Sequence, residues 1–161
     1  MIVLVGFMGA GKTTVGRLLA ARLGVPFTDS DHVIEDRAGK PIRQIFADDG
    51  EAAFRALEHQ VIADLLNGPD IVLAVGGGAV EHALTMKLLA EAPVAFLRVG
   101  YAEALRRVGG DGGRPMLARP DIAGVYAARQ AGYAAVATVT VDVDGRSPTD
   151  IGASILDSLG S

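Results

Sequence analysis

Residues 2–14 read IVLVGFMGAGKTT, and this stretch decides the fold. The apolar run at 2–5 predicts a short buried strand, and residues 6–13 then match the pattern G-x-x-x-x-G-K-[ST]. Such a glycine-rich loop lets phosphate oxygens reach backbone N–H groups that Cβ atoms would otherwise block. An amphipathic helix follows, with one apolar face formed by Val15, Leu18, Leu19 and Leu23. The order strand, loop and helix predicts that this loop binds a nucleoside triphosphate.

The side chains of the loop predict which part of the ligand each residue contacts. Lys12 would place a positive charge near the β- and γ-phosphates, and the Thr13 hydroxyl would ligate Mg²⁺. ATP is favoured over GTP, because the chain has no N-K-x-D guanine motif and its one asparagine is Asn67. The loop residues predicted to bind the nucleotide are Gly9, Ala10, Gly11, Lys12, Thr13 and Thr14.

The composition limits the class of protein. The 161 residues fit one domain, and they are 50% hydrophobic but only 5% aromatic, as expected for parallel strands covered by helices. The net charge of −4 argues against a nucleic-acid partner. The absence of cysteine excludes disulfides and suits a reducing compartment. No apolar run approaches the roughly 20 residues of a membrane span. We therefore expect a cytoplasmic protein with no membrane partner. We also expect a monomer whose partners are small-molecule substrates.

Strand-like and helix-like segments alternate along the chain. The five strand-like runs are residues 2–5, 25–29, 71–75, 94–99 and 137–143. Helical spacing is clearest at 51–67, and Pro148 is expected to start a last helix that continues to Leu159. This alternation predicts an α/β fold with a parallel sheet and right-handed crossovers.

Two carboxylates, Asp29 and Asp31, follow the second strand-like run. The carboxyl ends of parallel strands border the ligand crevice in open α/β sheets. On an extended chain the two side chains would point to the same side, so that one could bind the waters of the metal and the other could accept a proton from an attacking hydroxyl. The alternative is that Asp31 caps the helix that begins at HVIEDRAG.

Two glycine-rich segments carry further predictions. Gly76 to Gly78 end the third strand-like run and indicate either a close-packed substrate floor or a tight turn. Residues 108–117, VGGDGGRPML, contain four glycines and a proline. They indicate either a surface loop or a mobile lid that brings Arg114 over the site.

These segments, taken in order, resemble the shikimate kinases. The resemblance covers nearly the whole chain and depends on GFMGAGKTT at 6–14, DSD at 29–31, GEAAFRALE at 50–58, GGGAV at 76–80, the arginine-rich lid and the R-x-P at 146–148. It implies a three-layer α/β/α sandwich with a five-stranded parallel sheet, like that of P-loop nucleoside-monophosphate kinases. It also implies transfer of the γ-phosphoryl group of MgATP to the 3-hydroxyl of shikimate, a step of aromatic amino acid biosynthesis. Within one domain, 1–161, a substrate-binding helical segment would span about 32–60 and a mobile lid about 108–120.

The resemblance also implies residue roles. Lys12, Asp31 and Arg114 would be catalytic, and Thr13 and Asp29 would hold Mg²⁺. Adenine would lie between Arg107 and Pro148 with Arg146 nearby, and Glu58 would support Arg55. The implied substrate-binding residues are Asp31, Arg55, Gly76, Gly77, Gly78 and Arg129.

The sequence departs from the family at RQAGY, residues 129–133, where Ala131 and Gly132 replace the usual proline and leucine. Arg129 would grip the substrate carboxylate, or it would be a solvated helix residue. The acceptor could then be another polyol or sugar acid, such as gluconate or an aminated shikimate. A nucleotide-binding regulatory protein without catalysis is the hypothesis from a different class.

Overall fold

The computed structural model describes residues 1–108 and 121–160. Its strands are β1 (Ile2–Val5), β2 (Phe27–Asp29), β3 (Val72–Ala74), β4 (Val94–Arg98) and β5 (Val139–Asp142). Its helices are α1 (Lys12–Leu23), α2 (Ser30–Ala38), α3 (Ile42–Leu66), α4 (Ala83–Ala90), α5 (Tyr101–Val108), α6 (Ile122–Val136) and α7 (Pro148–Leu159), with a 3₁₀ turn at Ala79–Glu81. All five predicted strands are thereby confirmed.

The strands form one parallel sheet in the order β2-β3-β1-β4-β5. In the central strand β1, Leu4 pairs with Ala74 on one side and Ala95 on the other. Every residue of β1 is buried, because helices cover both faces of the sheet. Strands β2 and β3 lie on one side of β1, whereas β4 and β5 lie on the other. The order in which strands are added to the sheet therefore reverses beside β1. That reversal opens a crevice at the carboxyl ends of the strands.

The helix ends follow from local sequence. Gly24 ends α1 in a left-handed conformation, with φ 68°, and its N–H bonds to the carbonyl of Ala20. At the start of α7 the Ser147 hydroxyl accepts the N–H of Asp150 at 3.2 Å, and Pro148 is the first helical residue. The predicted last helix, Pro148 to Leu159, is confirmed.

Helix α3 is longer than the segment 51–67 that the spacing predicts, because a second helical stretch precedes it. Gly50, with φ 86° and ψ 172°, interrupts the helix, and only a glycine takes this backbone conformation easily. Together with α2, this kinked helix encloses a small core of its own, formed by Ile34, Ile45, Phe54 and Val61. Helices α2 and α3 therefore pack on each other, and the assignment of about 32–60 as a substrate-binding segment stays a prediction.

In the described part of the chain, no helix has both the length and the apolar character that a membrane crossing requires.

Candidate active site

The carboxyl ends of β1, β2 and β3 open into a cavity of about 1190 Å³. Every predicted site residue within 1–108 and 121–160 lines it. They are Gly9, Ala10, Gly11, Lys12, Thr13, Thr14, Asp29, Asp31, Arg55, Gly76, Gly77, Gly78, Arg107, Arg129, Arg146 and Pro148. Arg114 and the rest of the predicted lid from 109 to 120 lie outside the described residues. The fold therefore brings these predicted residues to one cavity, while the role of each stays a prediction.

The loop at Gly6–Thr13 forms an anion-binding end of this cavity. Gly9 and Gly11 have φ values of 81° and 91°, which residues other than glycine rarely adopt. Gly11 is the N-cap of α1 and makes no side-chain cap bond, so the positive end of the helix faces the loop. The Lys12 ammonium donates to the carbonyls of Gly6 at 2.7 Å and Phe7 at 3.2 Å. This arrangement suits a phosphate chain.

Two arginines and a proline line the cavity together with the phosphate loop. Arg107 donates from Nη1 to the carbonyl of Gly9 at 2.9 Å, which fixes its side chain on the phosphate loop. Arg146 donates to the Ser154 hydroxyl at 2.6 Å and lies near the start of α7, where Pro148 faces the cavity. These residues could enclose a flat base beside the loop.

Asp29 and Asp31 both line the cavity, but they do so from different elements. Asp29 ends β2, and its Oδ1 accepts the N–H of Asp31 at 2.9 Å, so Asp29 is the N-cap of α2. The alternative that Asp31 caps this helix is wrong, because Asp31 already lies in the first helical turn. The expectation that both aspartates lie on an extended chain is wrong for the same reason.

The environment of Asp31 makes it a candidate base. Burial, reinforced by the negative charge of Asp29, raises the pKa of Asp31 to about 6, although Lys12 and Arg55 oppose the shift. A carboxyl with a pKa near neutrality accepts a proton more readily than an ordinary aspartate does. With a pKa of about 6, Asp31 is mostly ionised at neutral pH and is a candidate proton acceptor.

The glycine run Gly76 to Gly78 joins the charged groups of the site. A Cβ atom on Gly76 would lie 2.8 Å from Oδ1 of Asp31 and 3.2 Å from Oε2 of Glu58. A Cβ atom on Gly78 would lie 2.8 Å from both Cζ of Arg55 and Nη2 of Arg129. Carboxylates thus border one end of the run and guanidinium groups border the other, a spacing that suits a small molecule with hydroxyls and a carboxylate.

Arg55 and Glu58 lie on α3 in direct contact. Arg55 donates from Nη1 to Oε1 of Glu58 at 2.8 Å, and its Cζ lies 5.1 Å from the centre of the Phe54 ring. Burial raises the pKa of Glu58 to about 7, although Arg55 opposes the shift. Oε2 of Glu58 is buried without a hydrogen-bond partner among the described residues and is close to Gly76. It is an acceptor that a ligand hydroxyl could satisfy.

Arg129 lies on α6 and is only 5% exposed, so the alternative of a solvated helix residue is wrong. Its Nη1 would lie 3.5 Å from a Cβ atom on Gly77, beside the hydroxyl of Tyr133. Tyr133 is itself buried, donates to the carbonyl of Gly77, and has a pKa that burial raises. Arg129 and Tyr133 therefore both pack on the glycine run.

Sequence reasoning missed Glu81. This carboxylate ends the 3₁₀ turn after the glycine run and accepts from both Arg55 and Arg129, each at 3.1 Å. The one available signal in the sequence was an acidic residue three positions after Gly78. Its contacts could not be predicted, because they depend on α3 and α6 both approaching the 3₁₀ turn.

Comparison with known proteins agrees with this geometry. The family model described as "SKI: Shikimate kinase" matches residues 8–160. A shikimate kinase from Salinispora arenicola is 48% identical over 156 residues, covering 95% of this chain and 93% of that protein. The corresponding protein of Saccharopolyspora erythraea is 50% identical over 150 residues, covering 91% and 86%. The solved structure of a shikimate kinase from Acinetobacter baumannii in complex with shikimate has a TM-score of 0.91 at 37% identity, covering 98% of this chain and 91% of that one. The chain belongs to the shikimate kinase family.

Proposed function

We propose that this protein transfers the γ-phosphoryl group of ATP to the 3-hydroxyl of shikimate, giving shikimate 3-phosphate and ADP. The observation that carries the proposal is the glycine run, which holds two carboxylates at one end and two guanidinium groups at the other beside a phosphate-binding loop. Shikimate has hydroxyls and one carboxylate, so it matches both ends of this run. Family membership favours shikimate over gluconate or an aminated relative.

The nucleotide end would hold ATP by its phosphates. N–H groups at the start of α1 and the ammonium of Lys12 would contact the β- and γ-phosphates. Arg107, Arg146 and Pro148 would contact adenine. Because phosphoryl transfer depends mainly on alignment and charge neutralisation, these fixed groups provide most of what the donor needs.

The acceptor end would position and activate the hydroxyl. Arg55 and Arg129 would bind the carboxylate, and Asp31 would accept the proton of the 3-hydroxyl. As the oxygen forms its bond to the γ-phosphorus, the bond from that phosphorus to the bridging oxygen breaks, and its electron pair leaves with ADP. The glycine run would form the surface on which the ring lies.

Thr13 and Asp29 fit a magnesium ion. Both line the cavity beside the phosphate loop, and hydroxyl and carboxylate oxygens are the ligands that Mg²⁺ prefers. Within 1–108 and 121–160, no group of three or more His, Cys, Asp or Glu side chains could hold a metal, so Mg²⁺ would be bound largely by phosphates and water. When bound, the ion neutralises phosphate charge and orients the γ-phosphoryl group.

Three further expectations complete the proposal. Arg114 would stabilise the transferring phosphoryl group, a role supported by its place in the R-P-M-L sequence. The enzyme would act as a monomer. It would work in the cytoplasm, which its lack of cysteine suits.

The test is ADP release measured with shikimate, gluconate and an aminated shikimate at equal concentrations. We expect shikimate to give the highest kcat/KM. A higher kcat/KM with gluconate would identify a different acceptor. ATP binding without ADP release in the presence of any of the acids would favour a regulatory nucleotide-binding protein.

A further inference from the structure

Glu81 bridges the two arginines at the acceptor end of the site. Its Oε2 accepts from Nη2 of Arg55 on α3, and its Oε1 accepts from Nε of Arg129 on α6. Both distances are 3.1 Å, and each carboxylate oxygen serves one arginine. A single side chain on the turn after the glycine run therefore links two helices that contribute to the site.

The two guanidinium groups are close enough to need such a bridge. Cζ of Arg55 and Nη2 of Arg129 each lie 2.8 Å from one point, the position of a Cβ atom on Gly78, so they are no farther apart than twice that distance, 5.6 Å. The Arg129 side chain is 5% exposed and that of Arg55 is 12% exposed, so water screens their repulsion poorly. An anion placed between them offsets this repulsion.

Glu58 supplies only part of that negative charge. It contacts Arg55 through Oε1, and its buried position raises its pKa to about 7, so near neutrality it is partly protonated. Glu81 is 35% exposed and contacts both arginines. Of these two carboxylates, Glu81 is the one placed to neutralise the pair.

The way in which Arg129 uses its nitrogens shows what the bridge does. Arg129 donates to Glu81 from Nε and not from either of its terminal nitrogens. Nη1 and Nη2 instead lie over Gly77 and Gly78, where the proposed substrate would sit. Glu81 therefore does not occupy Nη1 and Nη2 of Arg129. Its bond to Nε instead fixes the direction in which these two nitrogens point.

The local sequence explains why Arg129 reaches this bridge. A Cβ atom on Gly132 would lie 2.8 Å from Cγ2 of Val80, so the glycine lets α6 pack closely on the turn that carries Glu81. Gly132 occupies a position at which this sequence departs from the family pattern. The glycine at 132 and the bridge from Glu81 to Arg129 thus both belong to the contact between α6 and the 3₁₀ turn.

We propose that Glu81 is a positioning residue for the substrate carboxylate: it holds the guanidinium groups of Arg55 and Arg129 together beside Gly78, so that Arg129 directs its terminal N–H groups over Gly77 and Gly78. The inference depends on the proposed function, because it assigns these arginines to the carboxylate of shikimate. Glu81 acts through the arginines and has no part in the chemical step.

The test is the substitution Glu81→Gln, which keeps the size of the side chain and removes its charge. The KM for shikimate should rise by about tenfold, the order of one lost charge-assisted hydrogen bond, whereas kcat and the KM for ATP should change little. The matched control is Glu91→Gln, an exposed glutamate at the other end of α4, which should leave all three constants unchanged.

A double variant separates positioning from a general structural effect. Since Arg129→Ala removes one of the two groups that Glu81 orients, Glu81→Gln should raise the KM for shikimate less in that background than in the wild type. An unchanged or lower KM in Glu81→Gln, or full independence of the two substitutions, would overturn the inference. If Arg129→Ala itself leaves KM unchanged, the proposed role of the arginine fails and the inference falls with it. If only Glu81→Gln has no effect, the inference alone is wrong.

Discussion

Replacing Gly78 by alanine tests the acceptor end of the site with one methyl group. Its Cβ atom would come closest to Nη2 of Arg55, and it would lie 2.8 Å from both Cζ of Arg55 and Nη2 of Arg129, whereas ordinary non-bonded contacts are about 3.5–4.0 Å. The guanidinium groups must then retreat, Arg55 by at least about 1 Å, and a displacement of that size in a positioning group can cost about 10²-fold in rate. The backbone itself tolerates alanine, because Gly78 has φ −95° and ψ 5°.

The expected result for Gly78→Ala is a fall in kcat/KM for shikimate of about 10²-fold, with the KM for ATP unchanged. The assay is coupled ADP release at saturating ATP with varied shikimate, and thermal unfolding checks that the fold is intact. Gly124→Ala is the matched control, because Gly124 is exposed on α6 with no atom within 4 Å of an added Cβ. That control should keep wild-type kinetics. Wild-type kcat/KM for shikimate in Gly78→Ala would refute the placement of substrate on the glycine run.

Three other substitutions test the remaining charged groups. Asp31→Asn should leave the Kd for ATP unchanged by calorimetry but lower kcat by roughly 10²–10⁴-fold, the usual range for a lost general base; an unchanged kcat would make Asp31 only a structural residue. Arg129→Ala should raise the KM for shikimate by roughly ten- to a hundredfold, from the loss of one charge-assisted contact in steady-state assays, and an unaltered KM would move carboxylate recognition elsewhere. Burial raises the pKa of Glu58 from 4.5 to about 7, so the folded state binds that proton more tightly than the unfolded chain does. The stabilisation from this proton is therefore fully present below pH 4.5 and is lost as the pH rises through about 7. Glu58→Gln should flatten the pH dependence of the free energy of unfolding, measured by urea denaturation, between pH 4.5 and 7. An unchanged pH profile would contradict this origin.

Local sequence was sufficient for most of the fold. The apolar runs gave all five strands, because parallel strands buried on both faces leave a continuous signal. The phosphate loop was equally clear, since its glycines, lysine and threonine follow directly from the geometry of an anion site. The kink at Gly50 was less clear, because a glycine between two helical stretches can end a helix or bend it.

The acceptor end required tertiary contacts that spacing alone does not contain. Asp31 was expected on an extended chain, yet Asp29 caps α2, which begins at Ser30, so Asp31 is already helical. Arg129 could equally have faced solvent, and its burial depends on the close approach of α6 to the turn at Val80. Glu81 carried no motif at all, because its partners come from helices 26 and 48 residues away in sequence.

The central claim is that a phosphoryl group passes from ATP on the loop at residues 6–13 to the 3-hydroxyl of shikimate. Phosphorus NMR of a reaction with MgATP and shikimate tests it most directly, using the wild type beside Lys12→Ala. The account predicts a phosphate monoester coupled to the proton on carbon 3 for the wild type, and a severe loss of that signal for Lys12→Ala. Inorganic phosphate and ADP without any phosphate monoester, a monoester at another hydroxyl, or equal product from both proteins would contradict it.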